Sequence, residues 1–452
     1  MIRYGVDTFR GFRGRVRYWL SARDCYGSIS LMVAIAFAMG ITPYLVRRNS
    51  QGESVLAPSW YGFLNAISRW LLLAYCYSYI NLSNESLIGY FMSNHVSQFS
   101  TKLHDIGGII VAIFTFIIPL LLRKHFLKSV KTMVQADQQL DRLRSPVNFK
   151  AVVGQVVLVI SVVVIVDTIL LTTCLVCLAK MEVYASWQLI FIFVYELLVV
   201  SITICMFCLM TRTVQRRIAC LHKVLKNLAH QWDSRTLKAV TQKQRSLQCL
   251  DSFSMYTIVT KDPAEIIQES MEIHHLICEA AATANKYFTY QLLTIISIAF
   301  LIIVFDAYYV LETLLGKSKR ESKFKTVEFV TFFSCQMILY LIAIISIVEG
   351  SNRAIKKSEK TGGIVHSLLN KTKSAEVKEK LQQFSMQLMH LKINFTAAGL
   401  FNIDRTLYFT ISGALTTYLI ILLQFTSNSP NNGYGNGGSC CETYNNMTNH
   451  TL

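Results

Sequence analysis

Charge is scarce in this chain, and what there is leans one way. Only 16% of its 452 residues are Asp, Glu, Lys or Arg, against 52% hydrophobic and 12% aromatic, a balance that excludes an ordinary water-soluble domain. Acids number 27 and bases 44. Proline is also rare, six in all, and Pro119 is the only one inside a predicted crossing, which argues against a bundle of proline-kinked helices. Ten-residue alternating segments are missing, so a membrane barrel is excluded and the spans must be helices that satisfy their own backbone. No His/Asp constellation stands at an interface: His274-His275 fall in a polar segment, and His104 and Asp105 stand alone. The chain therefore does not read as an enzyme, and no cofactor is expected.

What the sequence has is long apolar runs. They lie at about 27–46, 60–82, 105–122, 151–179, 187–210, 287–315, 327–348 and 406–425, each close to the 20 residues that cross roughly 30 Å of hydrocarbon as helix. Eight crossings would distribute the basic residues poorly. With the first run excluded and the N-terminus inside, 36 of the 44 Lys and Arg fall in the inner regions and seven in the outer ones. An inner excess of Lys and Arg sets orientation. The expected fold is thus an all-α membrane protein with seven crossings, N-terminus cytoplasmic and C-terminus extracellular. The outer loop 316–326, with Lys317, Lys319, Arg320, Lys323 and Lys325, is the one departure.

Sequons agree with this orientation. Asn81 and Asn84 fall in the first outer loop and Asn446 and Asn449 in the outer tail 426–452. The run at 27–46 follows six arginines and breaks near Gly40 and Pro43. It reads as an interfacial or re-entrant helix of an N-terminal region 1–59, held against anionic lipids; a signal peptide is disfavoured because no clean small-residue cleavage site precedes Pro43. Spans one to six occupy 60–349. Between spans four and five, segment 211–286 opens with nine bases from Arg212 to Arg245 against Asp233 alone, then becomes acidic through Glu265, Glu269, Glu272 and Glu279. Such a run suits a solvated or lipid-facing surface, and no nucleic-acid module accompanies it. Segment 350–404 is amphipathic, with Val377, Leu381, Phe384, Leu388 and Leu391 at helical spacing. Cys174-x-x-Cys177 and Cys205-x-x-Cys208 lie within apolar runs and read as small hydrophobes rather than metal ligands; Cys440-Cys441 is a candidate disulfide of the tail.

Ionisable groups inside spans carry more information, since each costs a few kcal/mol at mid-bilayer and persists where it faces a cavity or a partner. Asp167, Glu196, Asp306 and Glu312 qualify. Trp187, Tyr195 and Tyr309 on spans four and five, and Gln336 near the outer end of span six, add to them, so a small-molecule pocket with apolar walls and a few polar groups is one reading. Interhelical hydrogen bonding with an aromatic belt is the other. Asp306, beside Tyr308 and Tyr309, is the leading single candidate.

The last span, 405–425, ends Thr417-Tyr418-Leu419-Ile420-Ile421-Leu422-Leu423-Gln424-Phe425. It is preceded by Ala398-Gly399-Leu400-Phe401-Asn402-Ile403-Asp404-Arg405. Together these segments resemble the C-terminal signature of insect gustatory receptors, Thr-Tyr, five apolar residues and Gln-Phe, behind that family's Gly-hydrophobic-Phe and Asn/Asp-Arg pattern. Gly40 to Tyr44 resembles a further family stretch. The likeness is strong over 287–425 and thin before residue 150. Within the family it is nearest the branch with bitter-, warmth- and ribonucleoside-responsive members, and it departs from the sugar branch.

The resemblance implies a tetrameric, ligand-gated, non-selective cation channel of the plasma membrane of sensory neurons. Its partners would be a small-molecule tastant, membrane lipids, permeating cations, and copies of itself or other gustatory subunits. Tyr418, Ile421, Gln424 and Phe425 would line the pore, with Gln424 and Phe425 at the outer gate. Spacing alone leaves open that Gln424 simply hydrogen-bonds a neighbouring helix. The rivals are a G-protein-coupled receptor, whose orientation is opposite and whose Asp/Glu-Arg-Tyr and Asn-Pro motifs are absent, and a transporter, for which no inverted repeat of broken helices is evident.

Overall fold

The computed structural model describes residues 24–48, 54–86, 95–180, 182, 184–241, 262–315 and 326–427, and side chains within these ranges except those of 48, 95–97, 233–241, 326 and 425–427. The arginines up to Arg23, the basic segment 316–325, Cys440-Cys441, and Asn446 and Asn449 lie outside the described residues.

Asp24 opens helix α1 (Cys25–Ala38), accepting from the Gly27 amide at 2.8 Å, an N-cap that satisfies one of the orphan donors of the first turn. Its 14 residues extend about 21 Å, too short to cross a bilayer, and the chain turns after Ala38 into a two-stranded antiparallel hairpin, β1 (Tyr44–Arg48) and β2 (Ser54–Pro58), in register Tyr44 to Pro58 through Arg48 to Ser54. The first strand of this hairpin takes up the end of the run at 27–46, beyond the break expected near Gly40 and Pro43. Helix α2 (Trp60–Ser83) follows, then α3 (His95–Leu121), α4 (Arg123–Arg142), α5 (Phe149–Lys180), α6 (Trp187–Thr241), α7 (Pro263–Leu314), α8 (Thr326–Lys371) and α9 (Ala375–His390). A short hairpin, β3 (Thr396–Ala397) with β4 (Phe401–Asn402), leads to α10 (Thr406–Ser427).

Among the described residues, six helices are both long and apolar enough to cross a membrane: α3, α5, α6, α7, α8 and α10. Helix α2, the expected first crossing, is long enough at 24 residues, but Asn65, Arg69 and its tyrosines keep its hydropathy lower. Helices α6, α7 and α8 have 55, 52 and 46 residues, or about 70–80 Å at 1.5 Å per residue, more than twice the hydrocarbon thickness. Each thus has an apolar half and a long polar extension, and the extensions gather at one end with α4 and α9.

The core continues from the apolar half into that polar end. Met133, Ala136, Leu140, Ile218, Leu221, Leu225, Ile267, Ile273, Leu368, Leu381 and Phe384 are all buried in it. The stripe foreseen on 350–404 is real, with Val377, Leu381 and Phe384 buried, but it packs within its own chain rather than waiting for a neighbour: Phe384 meets the His274 ring edge-on at 5.8 Å, and Gln387 donates to the Met271 carbonyl at 2.9 Å. Arg217, 1% exposed, donates to Asp137 Oδ2 at 2.5 Å, to the Thr213 carbonyl at 3.0 Å and to Cys25 Sγ at 3.2 Å. One guanidinium thereby joins α6 to α4 and α1. His222 shares a 2.8 Å hydrogen bond with Thr361 between α6 and α8. Burial, with Lys357 and Lys226 nearby, pulls its pKa down to about 4, and burial does the same to His274.

Candidate functional site

In the apolar half, α5 is loosely held. Leu158, Val162, Ile165 and Ile169 on it are exposed, and between it and α3, α6, α7 and α8 runs a cleft of about 460 Å³. Of the residues singled out from the sequence, Asp167 (α5), Glu196 (α6) and Gln336 (α8) line it together. Asp167 Oδ1 accepts from Ser201 Oγ at 3.1 Å, and its Oδ2 has no hydrogen-bond partner in the protein. Glu196 accepts from the Tyr77 hydroxyl of α2. Gly108 on α3 makes this meeting possible, because a Cβ there would collide with both the Tyr77 hydroxyl and the Glu196 carboxylate. A smaller cavity of about 40 Å³ beside the cleft shares His104, Phe193, Glu196 and Gln336 with it and adds Tyr77 and Asp105.

The other candidates stand elsewhere. Tyr195 turns to the opposite side of α6, donating to the Met39 carbonyl at 2.5 Å with its ring between Phe116 and Phe191. Trp187 is exposed at the start of α6, stacked on Tyr75 at 6.4 Å. Asp306 and Tyr309 are buried, Tyr309 in an aromatic cluster with Tyr308, Phe329, Phe332 and Phe333, and neither lines the cleft. Asp306 Oδ2 and the Tyr309 hydroxyl have no hydrogen-bond partner there. Tyr77 and Ser201 were not foreseen, their only signal being polarity inside apolar runs, and His104, which the sequence left standing alone, lines the cleft. Asn81 and Asn84 are both exposed at the end of α2, with Asn84 left-handed at φ 52° as its C-cap.

The second feature is α10. Its approach is tightly built: Ala398 and Gly399 both have positive φ in the β3–β4 turn, closed by Leu400 N–H to the Ala397 carbonyl at 2.9 Å, the mirror-image turn that demands Gly or a tolerant residue. The Asn285 and Thr289 side chains of α7 hydrogen-bond this hairpin at Thr396 and Ala398. Arg405 then grips Glu349 of α8 with contacts of 3.0–3.2 Å, while Arg353 holds the same carboxylate at 2.9 Å.

Beyond this anchor α10 is barely covered, with 6% of its apolar window buried. One side, with Leu407, Tyr408, Ile411, Leu415, Leu419 and Leu422, packs on the chain. The opposite side is an exposed row of Thr406, Thr410, Gly413, Thr417, Ile421 and Gln424, whose three- and four-residue steps place them on one helical face. Tyr418 borders the packed side, its ring edge-on to Phe300 at 6.0 Å. The side chain of Phe425 lies outside the described residues.

A polytopic bundle with an intramembrane cleft and an uncovered last helix matches one family of membrane receptors. The family profile for 7tm chemosensory receptors matches residues 29–429. The chain belongs to this family, among the insect gustatory receptors. It is 61% identical to gustatory receptor 28b of Drosophila melanogaster over 445 residues, covering 97% of this chain and 94% of that one, and 31% identical to gustatory receptor 28a of the same fly over 418 residues, covering 87% and 92%. The fold is similar to that of the insect olfactory receptor OR5 from Machilis hrabei, with a TM-score of 0.60 at 12% identity over 91% of this chain and 99% of that one. OR5 has also been solved in complex with eugenol, and that structure matches with a TM-score of 0.55 at 13% identity over the same shares.

Proposed function

We propose that this gustatory receptor is a ligand-gated, non-selective cation channel of the plasma membrane of chemosensory neurons, a tetramer with its N-terminus cytoplasmic and its C-terminus outside. The observation that carries the reading is the open face of α10. A membrane helix that leaves a threonine-rich row and an amide exposed on one face offers a surface suited to a shared aqueous axis. Four copies would set Thr410, Thr417 and Gln424 along the path, where hydroxyls and amides replace part of an ion's hydration shell and the Ile421 ring closes it by dewetting. Gln424 and Phe425 are the outer gate in this arrangement.

The agonist is an organic tastant, a bitter compound or a nucleoside, held in the cleft by Asp167, Glu196 and Gln336 among apolar walls. The whole cleft, its inner end included, has a volume of about 460 Å³, in the range of small-molecule sites, and a receptor of the same fold is known with eugenol bound. Gating requires that the ligand favour the open arrangement over the closed one, not merely bind. In cells expressing this chain alone, a current screen over bitter compounds, nucleosides and temperature identifies the agonist. Gln424→Ala is expected to change relative cation permeability or open probability, and Glu196→Gln to shift the agonist dose response at unchanged surface expression. Unaltered permeation and gating in the first variant removes the pore assignment.

A further inference from the structure

The cleft does not stop at the groups assigned to the agonist. It continues past the Asp167–Ser201 pair to a second mouth lined by Arg212, Gln215, Glu349 and Arg353. Ser201 and Arg212 are eleven residues apart on α6, about 17 Å at 1.5 Å per residue, close to half of the roughly 30 Å hydrocarbon layer. This inner compartment is thus one leaflet deep. Its walls are apolar, with Val163, Ile204 and Ala343 inside, and it opens sideways, since Leu158, Val162 and Ile342 on its lining are exposed. At its mouth, Arg212 has no carboxylate or hydrogen-bond partner among the described residues. Arg353 shares Glu349 with Arg405, so the mouth carries more positive charge than negative.

We infer that this compartment is a binding site for an anionic phospholipid of the inner leaflet, its phosphate on Arg212 and Arg353 and one acyl chain between α5, α6 and α8. A lateral opening admits a chain from the bilayer without passage through water, and a cation one leaflet from an uncharged interior meets a headgroup at its natural depth. A water-soluble anion would gain nothing from the apolar walls. The site has a route to α10: Glu349 lies between Arg353, at the headgroup, and Arg405, one residue before the helix begins. A phosphate that draws Arg353 away leaves Glu349 to Arg405 alone, so lipid occupancy changes how firmly the base of α10 is tied to α8. The inner-leaflet assignment rests on the orientation proposed above.

The test is native mass spectrometry of the purified full-length receptor exchanged into mixed phosphatidylglycerol and phosphatidylcholine, with currents recorded separately in liposomes of the same mixtures. Wild type is expected to retain phosphatidylglycerol about fivefold over phosphatidylcholine, the preference that about 1 kcal/mol from one basic residue near an anionic surface gives, since Arg353 is already paired with Glu349. Arg212→Gln should abolish the preference, Arg212→Lys should keep most of it, and Val163→Trp, which fills the compartment, should lower retention of both lipids. Equal retention by wild type, an undiminished preference in Arg212→Gln, or displacement of the lipid by oleate or inorganic phosphate at equal concentration overturns the proposal. Retention is read without any current, so its failure is distinct from a failure of the channel reading.

Discussion

Helices α7 and α10 both carry an apolar window suited to a bilayer, yet 56% of the window is buried in α7 and 6% in α10. The difference lies in what each helix does for its own subunit. Helix α7 runs through the centre of the bundle, touching α3, α4, α6, α8, α9 and α10, and buries Ile273 and Ala280 at the polar end as well as Ile303 and Tyr309 at the apolar end. Helix α10 is pinned by the hairpin and Arg405 at its start and afterwards rests on a single leucine-rich side. Hydropathy treats the two alike because it measures compatibility with lipid, whereas burial measures commitment to the fold.

That contrast predicts a graded series of effects, greatest where the chain is committed. Arg217→Ala leaves Asp137 buried without its cation and should cost about 3–5 kcal/mol, read as loss of monodisperse protein in size-exclusion chromatography. Gly108→Ala forces apart the Tyr77 and Glu196 side chains and should cost about 1–3 kcal/mol, seen as a lower thermal unfolding midpoint. Protons test the same end of the molecule. His222 and His274, with folded pKa values near 4 against an ordinary value of 6.5, bind fewer protons folded than unfolded between those limits, so their contribution to stability is complete above pH 6.5 and is lost as pH falls towards 4. His222→Asn with His274→Asn should flatten the melting-temperature profile over that window. Smallest of all is the stability effect of Gln424→Ala, expected within about 0.5 kcal/mol even though permeation changes. A large loss of stability there would mean that α10 is integral to its own subunit after all.

The sequence made the helices legible, since eight long apolar runs in polar surroundings have few other outcomes, although six rather than the expected seven are long and apolar enough to cross among the described residues, and it made the last helix legible through Thr417 to Phe425. It made α9 legible as an amphipathic helix but not its partner, because a stripe at Val377, Leu381 and Phe384 says only that something covers it. The site was half legible. Asp167, Glu196 and Gln336 stood out as polar groups in apolar runs and meet in the cleft. Asp306 stood out in the same way but is buried away from the cleft lining, and rotation about a helix axis is what decides between the two. Within a run nearly uniform in Val, Leu and Ile, no amphipathic moment reveals that rotation. The Tyr77–Glu196 contact over Gly108 joins residues 119 positions apart, a pairing no local pattern encodes.

The isolation of α10 has a use in the laboratory. Thr410, Gly413, Thr417 and Ile421 are exposed on one face of it, so substitutions there are largely spared the stability threshold that discards most core variants. A saturation library over this face should lose few members to misfolding, and nearly every clone that reaches the cell surface would then report on conduction.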